Sequence, residues 1–355
     1  MLNLTGVFMQ TKAVIKIVGA FIAFMIGSGF ATGQEILQFF SSFGYMSYGV
    51  LVVFLVGFLV VSRILLVTGF EHREGPFDHF KYYCGERLGT FYAWLVPVTL
   101  MLIISVMISA AGTTMNEFFG LHRMIGTTIM ALAVVSAYLI GFQKLIRLVS
   151  SIGPVIIAFA LLVGILTVMK DFSGLSDVVM TEGALAQKQP TSSWGFSAIL
   201  YLSLCLFTAS TYYSALGRSA HSKREAQLGA DIGSVIFILA IGIMNTAILL
   251  NAKEIITIEI PTLYLARNLS GTLVGAFSVI LILGMFSSCA TMMWSACSRF
   301  FVRHHKRNQL FAIIVGIVTW FLGQFSFSNL IAVFYPFVGY AGLVYIGCVL
   351  WRTFK

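Results

Sequence analysis

Ile26-Gly27-Ser28-Gly29-Phe30-Ala31-Thr32-Gly33-Gln34-Glu35 lies inside the first long apolar run of the chain, about residues 13–40. Three glycines within seven residues fill a helix poorly, each weakening it by about 0.5–1 kcal/mol relative to alanine. In lipid the loss matters more, because a freed N–H or C=O finds no water there. Such a stretch persists at membrane depth only where protein buries it or where it lines a wet cavity. Two readings follow. Either the helix is broken here and its freed backbone groups form half of a solute site, or Gly29 and Gly33, four residues apart, let two helices pack closely. Gly27 does not fit the second pattern. Gln34 and Glu35 follow at once, and an acidic residue at this depth is a mark of function.

Composition establishes the membrane setting. Of 355 residues, 59% are hydrophobic and 10% charged, and the mean hydropathy is +0.94. A soluble chain of this length needs far more polar surface, so the sequence reads as an all-α polytopic membrane protein. The first apolar run is too long for a signal-peptide core and no small-residue cleavage site follows it. Cysteines at 84, 205, 289, 297 and 348 have no metal-ligand spacing and read as reduced, small apolar residues.

Ten apolar segments can be marked, at about 13–40, 45–68, 91–115, 123–141, 148–169, 195–216, 229–251, 271–298, 309–325 and 329–351. They leave no room for a soluble domain, so residues 1–355 read as a single transmembrane domain. Seventeen of the 22 lysines and arginines fall on one side of the membrane if the N-terminus is cytoplasmic, which predicts both termini inside. The net charge of +9 is dispersed through short loops, where it sets orientation and offers no nucleic-acid face; the expected partners are the lipid bilayer and a small solute. Residues 69–90 read as a long charged cytoplasmic loop. Residues 252–270, with Ile260-Pro261-Thr262, read either as a lid on the protein or as an interfacial helix.

The segments divide into five and five, and with five spans each the second half is inverted relative to the first. The sixth span, Leu200 to Tyr213, brings Ser203, Thr208, Ser210 and Thr211 to mid-membrane depth. Paired interruptions in two halves are the best sequence pointer to a transporter site. In the first span, N–H groups at the start of the outer half suit a carboxylate, and carbonyls around Ala23 and Ile26 suit a cation. In the eighth span, Gly284, Ser287 and Ser288 stand on one helical face. Their oxygens with those of Ala23 and Ile26 make an uncharged five-oxygen set fit for Na⁺; alternatively, the serines only bond their own helix backbone.

The Ile26-Gly27-Ser28-Gly29 motif, followed by a second half-helix, resembles the first span of the amino acid–polyamine–organocation superfamily, which has the LeuT-type fold of two inverted five-helix repeats. The longer string from Gly27 through Glu35-Ile36-Leu37-Gln38-Phe39-Phe40 is similar to the bacterial YkvI-like membrane proteins, a family regarded as amino acid permeases. Ten spans are the bare core of that fold, so the resemblance covers the whole chain. It implies repeats at about 13–169 and 195–351, discontinuous helices 1 and 6, and a bacterial cell-membrane location. It implies that Gly27, Ser28 and Gly29 take the substrate carboxylate, that Phe30 is a further substrate-binding residue and that Tyr201, Ser203, Leu206 and Phe207 border the substrate. The shared cation site would be Ala23, Ile26, Gly284, Ser287 and Ser288. The sixth span departs from the pattern in having no glycine at its break.

The expected function is secondary active transport of an amino acid or similar small zwitterion by alternating access. Na⁺ is the first choice of coupling ion and H⁺ the second, with no other metal or cofactor and no enzymatic activity. An uncoupled facilitator or channel, and a membrane sensor on the same fold, are the alternatives. Gln34 and Glu35 read as gating or coupling residues, Glu35 as either a proton carrier or a hydrogen-bonded anchor. Asp231 reads as a helix-end charge and Asn245 as an interhelical hydrogen bond. His72 and His79, beside Glu71, Glu74 and Asp78, read as solvated loop charge rather than a metal site.

Overall fold

The computed structural model describes residues 4–26, 28–140, 152–170, 183–297 and 305–355. Gly27 lies outside them, as do the side chain of Ser28 and the acidic residues Asp171, Asp177 and Glu182 of the 170–194 segment, which reads in the sequence as a loop on the outer side. Every regular element among the described residues is a helix. The first apolar run is not one helix but three: α1 (Leu4–Met25), α2 (Ser28–Thr32) and α3 (Gln34–Phe39). The sequence predicts one interruption, and the chain has two. The second falls at Gly33, whose φ of 78° and ψ of −8° are left-handed, a conformation open to glycine and strained for residues with a Cβ. A short 3₁₀ turn, Ser41–Met46, with Gly44 at φ 56°, leads into α4 (Ser47–Glu71).

The expected 69–90 loop shrinks to a few residues. α5 (His79–Phe119) begins at an Asp78 cap whose carboxylate accepts from the Phe80 and Lys81 N–H groups at 3.0 and 3.2 Å. Gly85, at φ 75°, bends this helix early in its course. Then follow α6 (Arg123–Ile140), α7 (Ile152–Lys170), α8 (Trp194–Arg218), α9 (Lys223–Leu250), the single turn α10 (Ala252–Ile255), α11 (Pro261–Leu269), α12 (Gly271–Cys297), α13 (His305–Leu322) and α14 (Phe327–Phe354). Among the described residues, seven helices are long and apolar enough to cross a membrane, and the apolar helix Pro154–Lys170 is shorter. Large side chains such as Val52, Leu132, Met169, Phe321 and Val344 are exposed. That surface is costly in water and suited to lipid.

α8 is the most enclosed of the seven, and it packs chiefly against α4 and α14. Glycines make the approach close. A Cβ on Gly69 of α4 would overlap the Ser214 carbonyl, and one on Gly217 would overlap the Leu66 carbonyl. On the other side, Gly339 and Gly342 of α14 admit Leu200 and Ser203 in the same way. The expectation of a discontinuous sixth helix is corrected here: α8 runs unbroken from Trp194 to Arg218. Three of the four hydroxyls that suggested a break bond their own helix, and Thr211 lies 3.5 Å from His79 Nε2. Ser203 donates to the Ile199 carbonyl at 2.8 Å, Thr208 to the Leu204 carbonyl at 2.9 Å and Ser210 to the Phe207 carbonyl at 2.8 Å. Back-bonding of this kind satisfies a buried hydroxyl without freeing the backbone.

Candidate functional site

The break is a built feature, closed on several sides. Thr32 ends α2 by donating to the Gly29 carbonyl at 2.6 Å, and its oxygen accepts from the Gln34 N–H at 3.3 Å. α5, α7, α11 and α12 all pack on this five-residue helix. α11 matters most, because it belongs to the 252–270 loop. Thr262 is fully buried and donates to the Ala31 carbonyl at 2.5 Å, supplying a partner for a carbonyl next to the second interruption. A Cβ on Gly33 would meet Thr262 Cγ2 at 3.0 Å and Pro261 Cβ at 3.1 Å. Of the two readings of that loop, the structure has the one in which it covers the protein.

The chemistry gathers at Glu35, on the first turn of α3. Its Oε2 accepts from the Tyr201 hydroxyl at 2.9 Å and its Oε1 from the Tyr335 hydroxyl at 2.9 Å. Tyr201 comes from α8 and Tyr335 from α14, so one carboxyl group ties three helices together. Both phenols are buried, and Glu35 is 9% exposed. The same carboxyl lies against the break: a Cβ on Gly29 would overlap Glu35 Oε1. A side chain at position 29 and the carboxyl of Glu35 therefore cannot share this space.

Two further amides extend the polar face of α3. Gln34 Nε2 donates to Ser328 Oγ at 2.8 Å, and Gln38 Nε2 donates to the Ser328 carbonyl at 2.9 Å. Both side chains are buried, and neither Oε1 has a hydrogen-bond partner. Buried polar atoms are nearly always paired, so two orphan acceptors one helical turn apart stand out.

The structure distributes the sequence-predicted residues unevenly. Tyr201 reaches Glu35, and Phe30, buried on α2, packs against Phe237 with ring centroids 6.0 Å apart. Ser203 and Phe207 lie on another face of α8, against Gly342, and Phe207 joins an aromatic cluster with Phe80, Tyr92 and Tyr345. Leu206 is fully buried. Of the expected cation ligands, Ile26 is buried at the end of α1, whereas the side chain of Ala23 is exposed. Gly284 is buried on α12, which packs against α2, and Ser287 and Ser288 are half-buried one turn further on. The carbonyls of both serines accept from Thr291, at 2.7 and 3.0 Å.

Asn245 makes the interhelical bonds expected of it, accepting from Ser41 at 2.7 Å and donating to Ser47 at 2.9 Å. Asp231 pairs with Arg63 at 3.6 Å. His79 is not a solvated loop residue. It is buried at the start of α5, 3.2 Å from the Ser210 hydroxyl, because α5 begins earlier than its hydropathy suggests. A cleft of about 140 Å³ opens between α1 and the α8–α9 turn, beside Lys16, Leu216, His221 and Glu225; none of the break residues lines it. Sequence reasoning missed Tyr335, Gln38, Ser328 and Thr262. Gln38 carried a signal, standing one turn after Gln34 in the quoted string. Tyr335 carried a weaker one, a hydroxyl-bearing aromatic beside Pro336 inside the last apolar segment.

No protein-family model matches the chain. Two Bacillus subtilis (strain 168) proteins align with almost all of it. The uncharacterized protein YyaD is 24% identical over 327 residues, 92% of this chain and 93% of its own length. The uncharacterized membrane protein YkvI is 21% identical over 337 residues, 93% of each chain. Among solved structures, Mhp1 in its inward-facing conformation superposes with a TM-score of 0.59 at 16% identity, covering 95% of this chain and 74% of that one. The Eremococcus coleocola manganese transporter superposes with a TM-score of 0.51 at 14% identity, covering 94% and 77%. The chain is thus a multi-pass membrane protein with the LeuT-type fold of these two neighbours, similar along nearly its whole length to the YkvI membrane protein.

Proposed function

We propose that the protein is a secondary active transporter of an amino acid or similar small zwitterion, coupled to Na⁺. The observation that carries this reading is the double interruption of the first apolar run, enclosed by four helices and fronted by the buried polar groups of Thr32, Gln34, Glu35 and Gln38. Irregular backbone in a membrane protein marks a place where a solute replaces lost hydrogen bonds. In the ten-span reading, the first five spans and the last five form inverted repeats, with α1 to α3 together as span one and α8 as span six. The carboxylate end of the cargo faces the backbone of Gly27, Ser28 and Gly29. Na⁺ takes the carbonyls of Ala23, Ile26 and Gly284 and the hydroxyls of Ser287 and Ser288. α11 covers the break through Thr262, which donates to the Ala31 carbonyl. Cargo and ion together stabilise the occluded arrangement and thereby shift the population between the two openings.

Proton coupling is the second reading, favoured by the position of Glu35 between the break and two phenols. Thermal stability of the purified protein, measured against a panel of amino acids in Na⁺ and in K⁺, tests the proposal. A ligand at one hundred times its dissociation constant adds about 2.7 kcal/mol to the folded state. We expect a melting shift that needs both an amino acid and Na⁺. A shift equal in Na⁺ and K⁺ would move the assignment to proton coupling or facilitation.

A further inference from the structure

Gln34, Glu35 and Gln38 stand within about 100° of one another around α3. Ser328 and Tyr335, two helical turns apart on α14, face them, and Tyr201 closes the seam from α8. The seam is rich in acceptors and poor in donors. Gln38 cannot relieve this by turning its amide, because its Nε2 is committed to the Ser328 carbonyl, which only accepts; its Oε1 therefore remains an acceptor without a donor. The Gln34 Oε1 also has no donor, its Nε2 being held by the Ser328 hydroxyl. Glu35 holds one phenol hydrogen on each oxygen, and, among the described residues, no lysine, arginine or histidine pairs with it. Buried carboxyl groups normally face a cation or several donors. What this seam lacks is a positive group with several hydrogens to give.

We propose that the Gln34–Glu35–Gln38 face is the site that recognises the protonated amino group of the cargo. A primary ammonium carries three N–H donors and one positive charge, which match the two orphan amide oxygens and the carboxyl group of Glu35. A cargo carboxylate is excluded from the same place by like charge. Glu35 Oε1 occupies the space that a Cβ on Gly29 would take, so the carboxyl group lies directly against α2. The ammonium lies on the α3 side of Gly29, and the carboxylate lies on the side of α2 away from Glu35. The seam is closed in this conformation, so entry requires α2, whose Gly29 backs the carboxyl group, to move with the opening of the transport path. The inference rests on the transporter reading above and specifies which end of the cargo that site reads.

Matched ligand sets test it on the full-length protein. Each set holds an amino acid, its primary amide, which keeps the ammonium, and its N-acetyl derivative, which keeps only the carboxylate. Thermal shifts are measured for wild type and for Glu35→Gln. The amino acid and its amide should stabilise the wild type, the N-acetyl derivative should not, and Glu35→Gln should weaken the first two by about ten- to hundredfold. An N-acetyl derivative that binds as well as its parent would overturn the assignment. So would unchanged affinity in a folded Glu35→Gln variant, or no shift with any ammonium-bearing member. Should Glu35→Gln fail to fold, the wild-type ligand sets decide alone. Sodium-driven uptake of an N-acetyl amino acid would leave the transporter reading standing and remove this one. Amine binding through Glu35 without accumulation of any solute would do the reverse.

Discussion

Gly29 and Glu35 compete for one space. A methyl at position 29 would overlap Glu35 Oε1, and the carboxyl group cannot retreat freely because Tyr201 and Tyr335 hold it from two other helices. Gly29→Ala should therefore lower stability by about 1–3 kcal/mol, the usual effect of overfilling a packed site, and should weaken ligand binding. An unchanged melting temperature would mean that the carboxyl moves aside at no cost. Tyr335→Phe should cost about 1–3 kcal/mol, because it leaves a buried carboxyl oxygen without its donor. Combined with Tyr201→Phe, the loss should depart from additivity, since both phenols serve one group. Thermal melts of the two single variants and the double variant check this, and strict additivity would show that the phenols act independently. The sequence alone revealed Glu35 and Tyr201 separately. It could not reveal that they meet, because they lie 166 positions apart and no local pattern links them.

At the scale of elements, the legible part was the break and the illegible part was the sixth span. Glycines in an apolar run announce lost helix, and α1, α2 and α3 bear that out, although the second interruption at Gly33 was not anticipated. Serines and threonines in an apolar run are ambiguous, because the same hydroxyl that could serve a solute can bond the carbonyl a turn behind it. In α8 they do the latter, and the helix stays whole. The glycines that matter to α8 are Gly217 of its own and those on its neighbours. Gly69 of α4 admits the Ser214 carbonyl, so Gly69→Leu should prevent the α4–α8 approach and sharply reduce the folded fraction seen by size-exclusion chromatography. Gly347→Ala on α14 is the control, since nothing lies within 4 Å of its Cβ position. It should be neutral or slightly stabilising, by up to about 1 kcal/mol. Equal behaviour of the two variants would contradict the packing account. The early start of α5 was hidden for another reason. Its first turns are charged and amphipathic, so hydropathy reads them as loop, and only the Asp78 cap and buried His79 show the helix beginning there.

At the scale of the whole molecule, composition and loop charge were enough to reach a polytopic helical membrane protein, and the string from Gly27 to Phe40 reached the YkvI-like resemblance. The solved neighbours agree on the LeuT-type fold at 16% and 14% identity. Cargo and coupling ion remain proposals, tied to particular oxygens. Replacing Ser287 and Ser288 together by alanine should lower the apparent affinity for Na⁺ about tenfold or more, as expected when two ion ligands are lost, with less effect on folding because both side chains are only half-buried. Sodium dependence that survives this double change would remove the eighth span from the ion site. The central claim is concentrative, sodium-driven transport, and it is met most directly by uptake into proteoliposomes. The purified protein is reconstituted, an inward Na⁺ gradient is imposed, and accumulation of radiolabelled amino acids is followed against vesicles with K⁺ in place of Na⁺. The account predicts that at least one amino acid rises above its external concentration only when the Na⁺ gradient is present. Equilibration to the external level regardless of the gradient, by a protein that folds and binds the same amino acid, would contradict it.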